Sequence, residues 1–75
     1  MSMAWWNAED YQIQMLAGLL MASWDKETKK NTIDALASYR GKALTILASF
    51  ASMAWDKELR EYALAKIRQI NEGDI

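Results

Sequence analysis

The tetrapeptide Trp-Asp-Lys-Glu occurs twice in this chain, at residues 24–27 and again 31 residues later at 55–58. Each copy follows an apolar run, and each starts a polar one. Aligning residues 15–30 with 46–61 also matches Leu16 with Leu47 and Ala17 with Ala48. A helix advances about 100° per residue, so one unbroken helix would put Trp24 and Trp55 on different faces. The repeat makes structural sense only if the chain turns back on itself at each copy. We read it as a repeated corner: the Trp seals the core, the Asp oxygen caps the next helix, and the charged residues face water. The acid-to-base spacings Asp25–Lys29 and Asp56–Arg60 suit ion pairs within each helix. The competing reading of the repeat is a duplicated binding epitope. Two copies are too few for a solenoid.

Everything between the corners points to helix. The chain has no proline and no valine, and its apolar residues recur at steps of three and four. The first helix is expected over about 8–24, capped by Asn7, with Glu9 and Asp10 in its first turn. Its apolar residues are Ile13, Leu16, Leu19, Leu20 and Trp24 on one side, with Tyr11, Met15, Ala17, Met21 and Ala22 filling most of the rest. A polar turn is expected over 25–31, and Asn31 or Thr32 then caps a second helix over about 32–54. Its stripe runs through Ile33, Leu36, Ala37, Leu44, Leu47, Ala48, Ala51 and Trp55. Gly41 lies within that stripe without breaking its phase, which favours a close helix crossing over a kink. Ala37, Gly41, Thr45 and Ser49 would form the ridge of small residues at that crossing. A third helix is expected over about 57–72, with Leu59, Tyr62, Ala63, Ile67 and Ile70 inward; it either starts afresh at Asp56 or continues the second. The expected fold is all-α: a small helical bundle or hairpin of two to three helices in one domain spanning residues 1–75.

A chain of 75 residues buries a modest share of its surface and is marginal unless something staples it. With no cysteine there is no disulfide, and with no histidine a metal site is unexpected. Self-association is the remaining staple. A chain that is 52% hydrophobic with four Trp supports it. Trp5, Trp6, Tyr11, Met15 and Leu19 are the candidate interface residues, and Met15, Met21 and Met53 serve as adaptable core or interface filler.

The same absences bear on function. Without Cys or His there is no thiol nucleophile, no Ser–His pair and no side chain that titrates near neutrality. Gly18, Gly41 and Gly73 form no phosphate loop. The chain is therefore expected not to be an enzyme, and to hold no cofactor. A net charge of −1 argues against nonspecific nucleic-acid binding. The uncharged runs Tyr11–Trp24 and Ala43–Trp55 are too short to span a bilayer. The N-terminal stretch lacks the basic region of a signal peptide. A cytoplasmic protein is expected, with membrane association reserved as a role for Trp5 and Trp6.

Two cations break the apolar pattern. On continuous helices, Arg40 and Lys66 fall in the middle of their stripes, with Tyr39 and Tyr62 near them in sequence. These four residues are the candidate ligand-binding set, for a phosphate- or carboxylate-bearing molecule such as a nucleotide. The bland alternative pairs the cations with Glu9. In size and composition the chain resembles phage-encoded small inhibitors and nucleotide sponges that work as oligomers. That resemblance implies an oligomer that binds a protein or an anionic small molecule, and it carries no site residues. The leading expectation is a self-associating interaction module for a protein partner, acting as an inhibitor or regulator. An oligomeric binder of an anionic ligand and a peripheral membrane protein are the alternatives.

Overall fold

The computed structural model describes residues 8–75, which are all helix and connection. Asn7, Trp5 and Trp6 lie outside the described residues. Four α-helices follow one another: α1 (Ala8–Ala22), α2 (Lys26–Ala37), α3 (Leu44–Met53) and α4 (Lys57–Asn71). A single 3₁₀ turn, Arg40–Ala43, leads into α3. The fold is all-α as expected, with four helices where two to three were anticipated.

The segment expected to be a polar turn is helical instead. Residues 26–31 form the first half of α2, because Asp25 caps it: its carboxylate accepts from the Thr28 N–H at 2.9 Å and from the Thr28 hydroxyl at 2.9 Å. One capped turn of good helix formers needs no apolar anchor of its own. Asp56 does the same for α4, accepting from the Leu59 N–H at 3.0 Å. The cap role assigned to both aspartates therefore holds, and the chain breaks between α3 and α4.

The expected helix over 32–54 is two helices. Arg40 sits at φ 58°, in the left-handed region that interrupts an α-helix, and the chain resumes through the 3₁₀ turn. Gly41 belongs to this break, and beyond its chain neighbours nothing packs close to it. The close helix crossing proposed there is absent, and its ridge of small residues is split between α2, the turn and α3.

The helices form two hairpins, α1–α2 and α3–α4, joined where α2 packs on α4. The core comprises Ile13 and Leu20 of α1, Ile33, Leu36 and Ala37 of α2, Ala43 and Leu47, Phe50 and Ala51 of α3, and Leu59 and Ala63 of α4. Leu20, Ile33, Leu36 and Leu47 are wholly enclosed. Each such side chain is worth about 1.5–3 kcal/mol over leaving it in water. Tyr62, Ile67 and Ile70 of α4 pack half-buried on this core. The lone buried polar residue among those described, Thr32, returns its hydroxyl to the Thr28 carbonyl at 2.8 Å.

Helix α1 is the least enclosed. It buries only Ile13 and Leu20 and packs chiefly on α2. Its face away from the core holds Tyr11, Met15 and Leu19, each about half exposed. Two polar contacts tie it to the α2–α3 connection: Glu9 with Lys42 at 2.5 Å, and the Tyr39 hydroxyl donating to Gln12 at 2.5 Å.

Candidate functional site

Both repeats lie at helix N-termini, and the antiparallel course of the hairpins carries both to one end of the molecule. The contacts between them show how close they are. Lys26 of the first copy reaches Asp56 of the second at 3.1 Å and Glu58 at 3.1 Å. Lys30, one helical turn on, also pairs with Glu58. The local i,i+4 pairs expected from sequence are not among the ion pairs of the described residues. The charges pair across the two copies instead, while Arg60 turns back to donate to the Ala54 carbonyl that ends α3, at 3.1 Å.

These pairings move the protonation equilibria in consistent directions. The Leu59 N–H, then Lys26, holds the Asp56 carboxyl below its ordinary value. Lys30 and then Lys26 do the same for Glu58. Lys26 is raised by Asp56 and Glu58, and Lys30 by Glu58. Asp25 is lowered chiefly by the Thr28 backbone N–H that it caps.

The two tryptophans do not seal the core. Trp24 is 95% exposed and Trp55 is 93% exposed. The expected burial of both is overturned, and the cause is readable in the sequence. A residue just before an N-cap packs when an apolar residue stands at the fourth helical position, forming a hydrophobic staple. Here that position holds Lys29 in α2 and Arg60 in α4, so neither indole has a staple partner. Met21 and Met53, in the last turns of α1 and α3, are also half exposed beside these turns. One end of the molecule thus carries two unpacked indoles, each next in sequence to a turn whose charges largely neutralise each other.

The candidate anion set separates into different surroundings. Tyr62 donates its hydroxyl to Asp34 at 2.7 Å, and Lys66 pairs with the same carboxylate oxygen at 3.2 Å. The Lys66 and Lys30 ammonium groups lie 5.4 and 5.6 Å from the Tyr62 ring centre. The bond to Asp34, then burial, pushes the Tyr62 hydroxyl up to about 12. Tyr39 instead bonds Gln12, and with Met15 and Leu16 lines a shallow groove beside α1. Arg40 stands exposed on the α2–α3 connection, away from any helical stripe. Glu9, the proposed internal partner for both cations, pairs with Lys42, which is raised by it. Asp34 was the missed residue. On α2 it lies four positions after Lys30 and opposes the Tyr62–Lys66 turn of α4.

Among the described residues there is no cluster of three or more carboxylates, and no helix long and apolar enough to cross a membrane. Comparison of the chain with protein families, with curated proteins and with solved structures returns no match.

Proposed function

We propose that this chain is a non-enzymatic helical interaction module, which engages a protein partner through exposed apolar side chains and acts as an inhibitor or regulator. The observation that carries this reading is the near-complete exposure of Trp24 and Trp55 on neighbouring turns. Tryptophan is the side chain most enriched among residues that dominate binding energies, and it gains most when a partner covers it. A fold with few enclosed large side chains has little reason to leave two indoles in water unless they are used. The half-exposed Tyr11, Met15 and Leu19 on α1 extend the apolar surface available to a partner.

The anionic-ligand reading is weaker on chemistry. Asp34 already neutralises Lys66 and takes the Tyr62 hydroxyl, so an anion would have to displace a carboxylate at hydrogen-bond distance. A bilayer surface suits tryptophan as well, but the charges on the turns that follow these tryptophans are balanced rather than basic.

The test is affinity isolation from the source cells with the wild-type chain and with Trp24→Ser/Trp55→Ser as paired baits, after circular dichroism has shown both folded. A specific protein retained by the wild type and lost by the variant supports the reading. Equal recovery with both baits, or no protein above background with either, counts against it.

A further inference from the structure

The twin-turn end is built to meet itself. We infer that two copies of this chain associate through their Trp24 and Trp55 turns about a two-fold axis, with Trp24 of one copy against the Trp55 turn of the other. This deepens the interaction-module reading and rests on it for the use of the indoles, but names the occupant as a second copy.

The charges left over at this end carry the assignment. Within one copy, Lys26 is spent on Asp56 and Glu58, and Glu58 also takes Lys30. Asp25 and Asp56 are spent on their helix caps. Among the charged residues of the two Trp-Asp-Lys-Glu motifs, only Glu27 in the first and Lys57 in the second form neither an ion pair nor a helix cap among the described residues. Both are exposed. One turn therefore presents a spare acid and the other a spare base. An isologous contact requires that if residue i meets residue j, then j meets i. A two-fold that exchanges the two turns brings Glu27 to Lys57 twice, and sets an indole from each turn against its near-equivalent. The internal repeat supplies this self-complementarity; an unrelated partner would not call for it.

Size and long-range electrostatics agree. An aromatic side chain buries roughly 150–250 Å² when covered. Four indoles then account for roughly 600–1,000 Å², and the flanking Met21 and Met53 of both copies bring the contact towards the ~1,200 Å² at which specific interfaces begin. A net charge of −1 per chain sets up little repulsion between copies.

Sedimentation equilibrium of the full chain from micromolar to millimolar concentration, with circular dichroism as the folding control, tests the inference. The wild type should dimerise, and Trp24→Ser or Trp55→Ser should weaken the dimer roughly 30-fold or more each, as truncation at a hot spot does. The charges give the sharper test. A Glu27→Lys chain carries cations at positions 27 and 57, and a Lys57→Glu chain carries anions at both. Each should dimerise several-fold more weakly than wild type, while a mixture of the two should form the heterodimer in preference to either homodimer. A wild type that stays monomeric throughout overturns the inference. So does a dimer that survives loss of both tryptophans, which would place the contact elsewhere, such as the α1 face. A mixture that shows no heterodimer preference rejects the exchanged two-fold. A monomeric wild type that binds phosphatidylcholine vesicles through Trp24 and Trp55 gives the end to lipid instead. A monomer whose tryptophans still retain a cellular protein leaves the interaction-module reading standing and removes only the second copy.

Discussion

The turn before α2 and the turn before α4 share four residues, yet those residues do different work. The aspartates behave alike: each caps its helix through a backbone N–H three residues on. The lysines and glutamates diverge. Lys26 reaches across to the second turn while Lys57 forms no ion pair, and Glu58 receives two lysines while Glu27 receives none. A repeated sequence thus repeats what depends on the local backbone. It does not repeat what depends on neighbours, because the two copies face each other rather than identical surroundings. The hairpins behind the turns differ in the same sense. The first leans on an α1 that buries two residues, whereas the shorter α3 buries Leu47, Phe50 and Ala51.

The largest effect should fall on the second hairpin's core. Leu47→Ala should cost about 2–5 kcal/mol by chemical denaturation, the range for enclosed leucines. Leu20→Ala, equally enclosed but on α1, should fall at the low end, because α1 packs chiefly on one neighbour. Native-state hydrogen exchange should then show α1 amides opening at lower free energy than those of α4. Equal protection of both helices would erase the difference between the hairpins.

Cap removal comes next. Asp25→Ala and Asp56→Ala should both lower Tm, and Asp56→Ala should lower it more, since it also removes one of the two carboxylates that Lys26 pairs with. The pH dependence sharpens this. Asp25, Asp56 and Glu58 have depressed folded-state values, so their stabilisation is complete above the ordinary carboxylate range and is lost as pH falls through the lowered values. Tm should fall on acidification, and less steeply in Asp56→Ala than in Asp25→Ala. At the alkaline end Tyr62 is raised, so its contribution is intact below about 10 and is lost as pH rises through about 12. Tyr62→Phe should flatten that alkaline limb.

The connection between the hairpins offers a smaller gain. Arg40 holds a left-handed backbone at φ 58° that costs a side-chain-bearing residue about 1 kcal/mol. Arg40→Gly should recover much of it, visible as a raised denaturation midpoint.

What the sequence disclosed follows the same division between local and neighbour-dependent features. The helical class, the two aspartate caps and the fold-back at each repeat depend on a few adjacent residues, and all were legible. Residues 26–31 lack an apolar anchor and so read as a turn, but the cap at Asp25 outweighs that lack. Arg40 was placed inside a stripe on the assumption of a continuous helix, and one residue with a positive φ removed it. Asp34 reads in sequence as an acid in the first turn of the second helix, and its pairing is not legible because the Tyr62–Lys66 turn that opposes it is 28 residues or more away. Trp24 and Trp55 fall on the apolar stripes of the expected helices and at the repeated corner, but α1 ends at Ala22 and α3 at Met53, so neither tryptophan belongs to the helix whose stripe it would extend. The polar residues at Lys29 and Arg60 held the contrary information, since they remove the staple that would have buried an indole.

The smallest effect on stability is the most telling. Trp24→Ala and Trp55→Ala should each shift unfolding of the dilute monomer by no more than about 0.5 kcal/mol, as exposed positions do. A loss of several kcal/mol would return both residues to the core.

The most direct measurement is tryptophan emission and acrylamide quenching in a Trp5→Phe/Trp6→Phe chain, in which Trp24 and Trp55 alone report. At the lowest concentrations the emission should be that of indole in water and freely quenched. On raising the concentration it should shift to the blue and become protected as the turns cover each other. Blue-shifted, quencher-protected emission at every dilution would contradict an end built of exposed tryptophans.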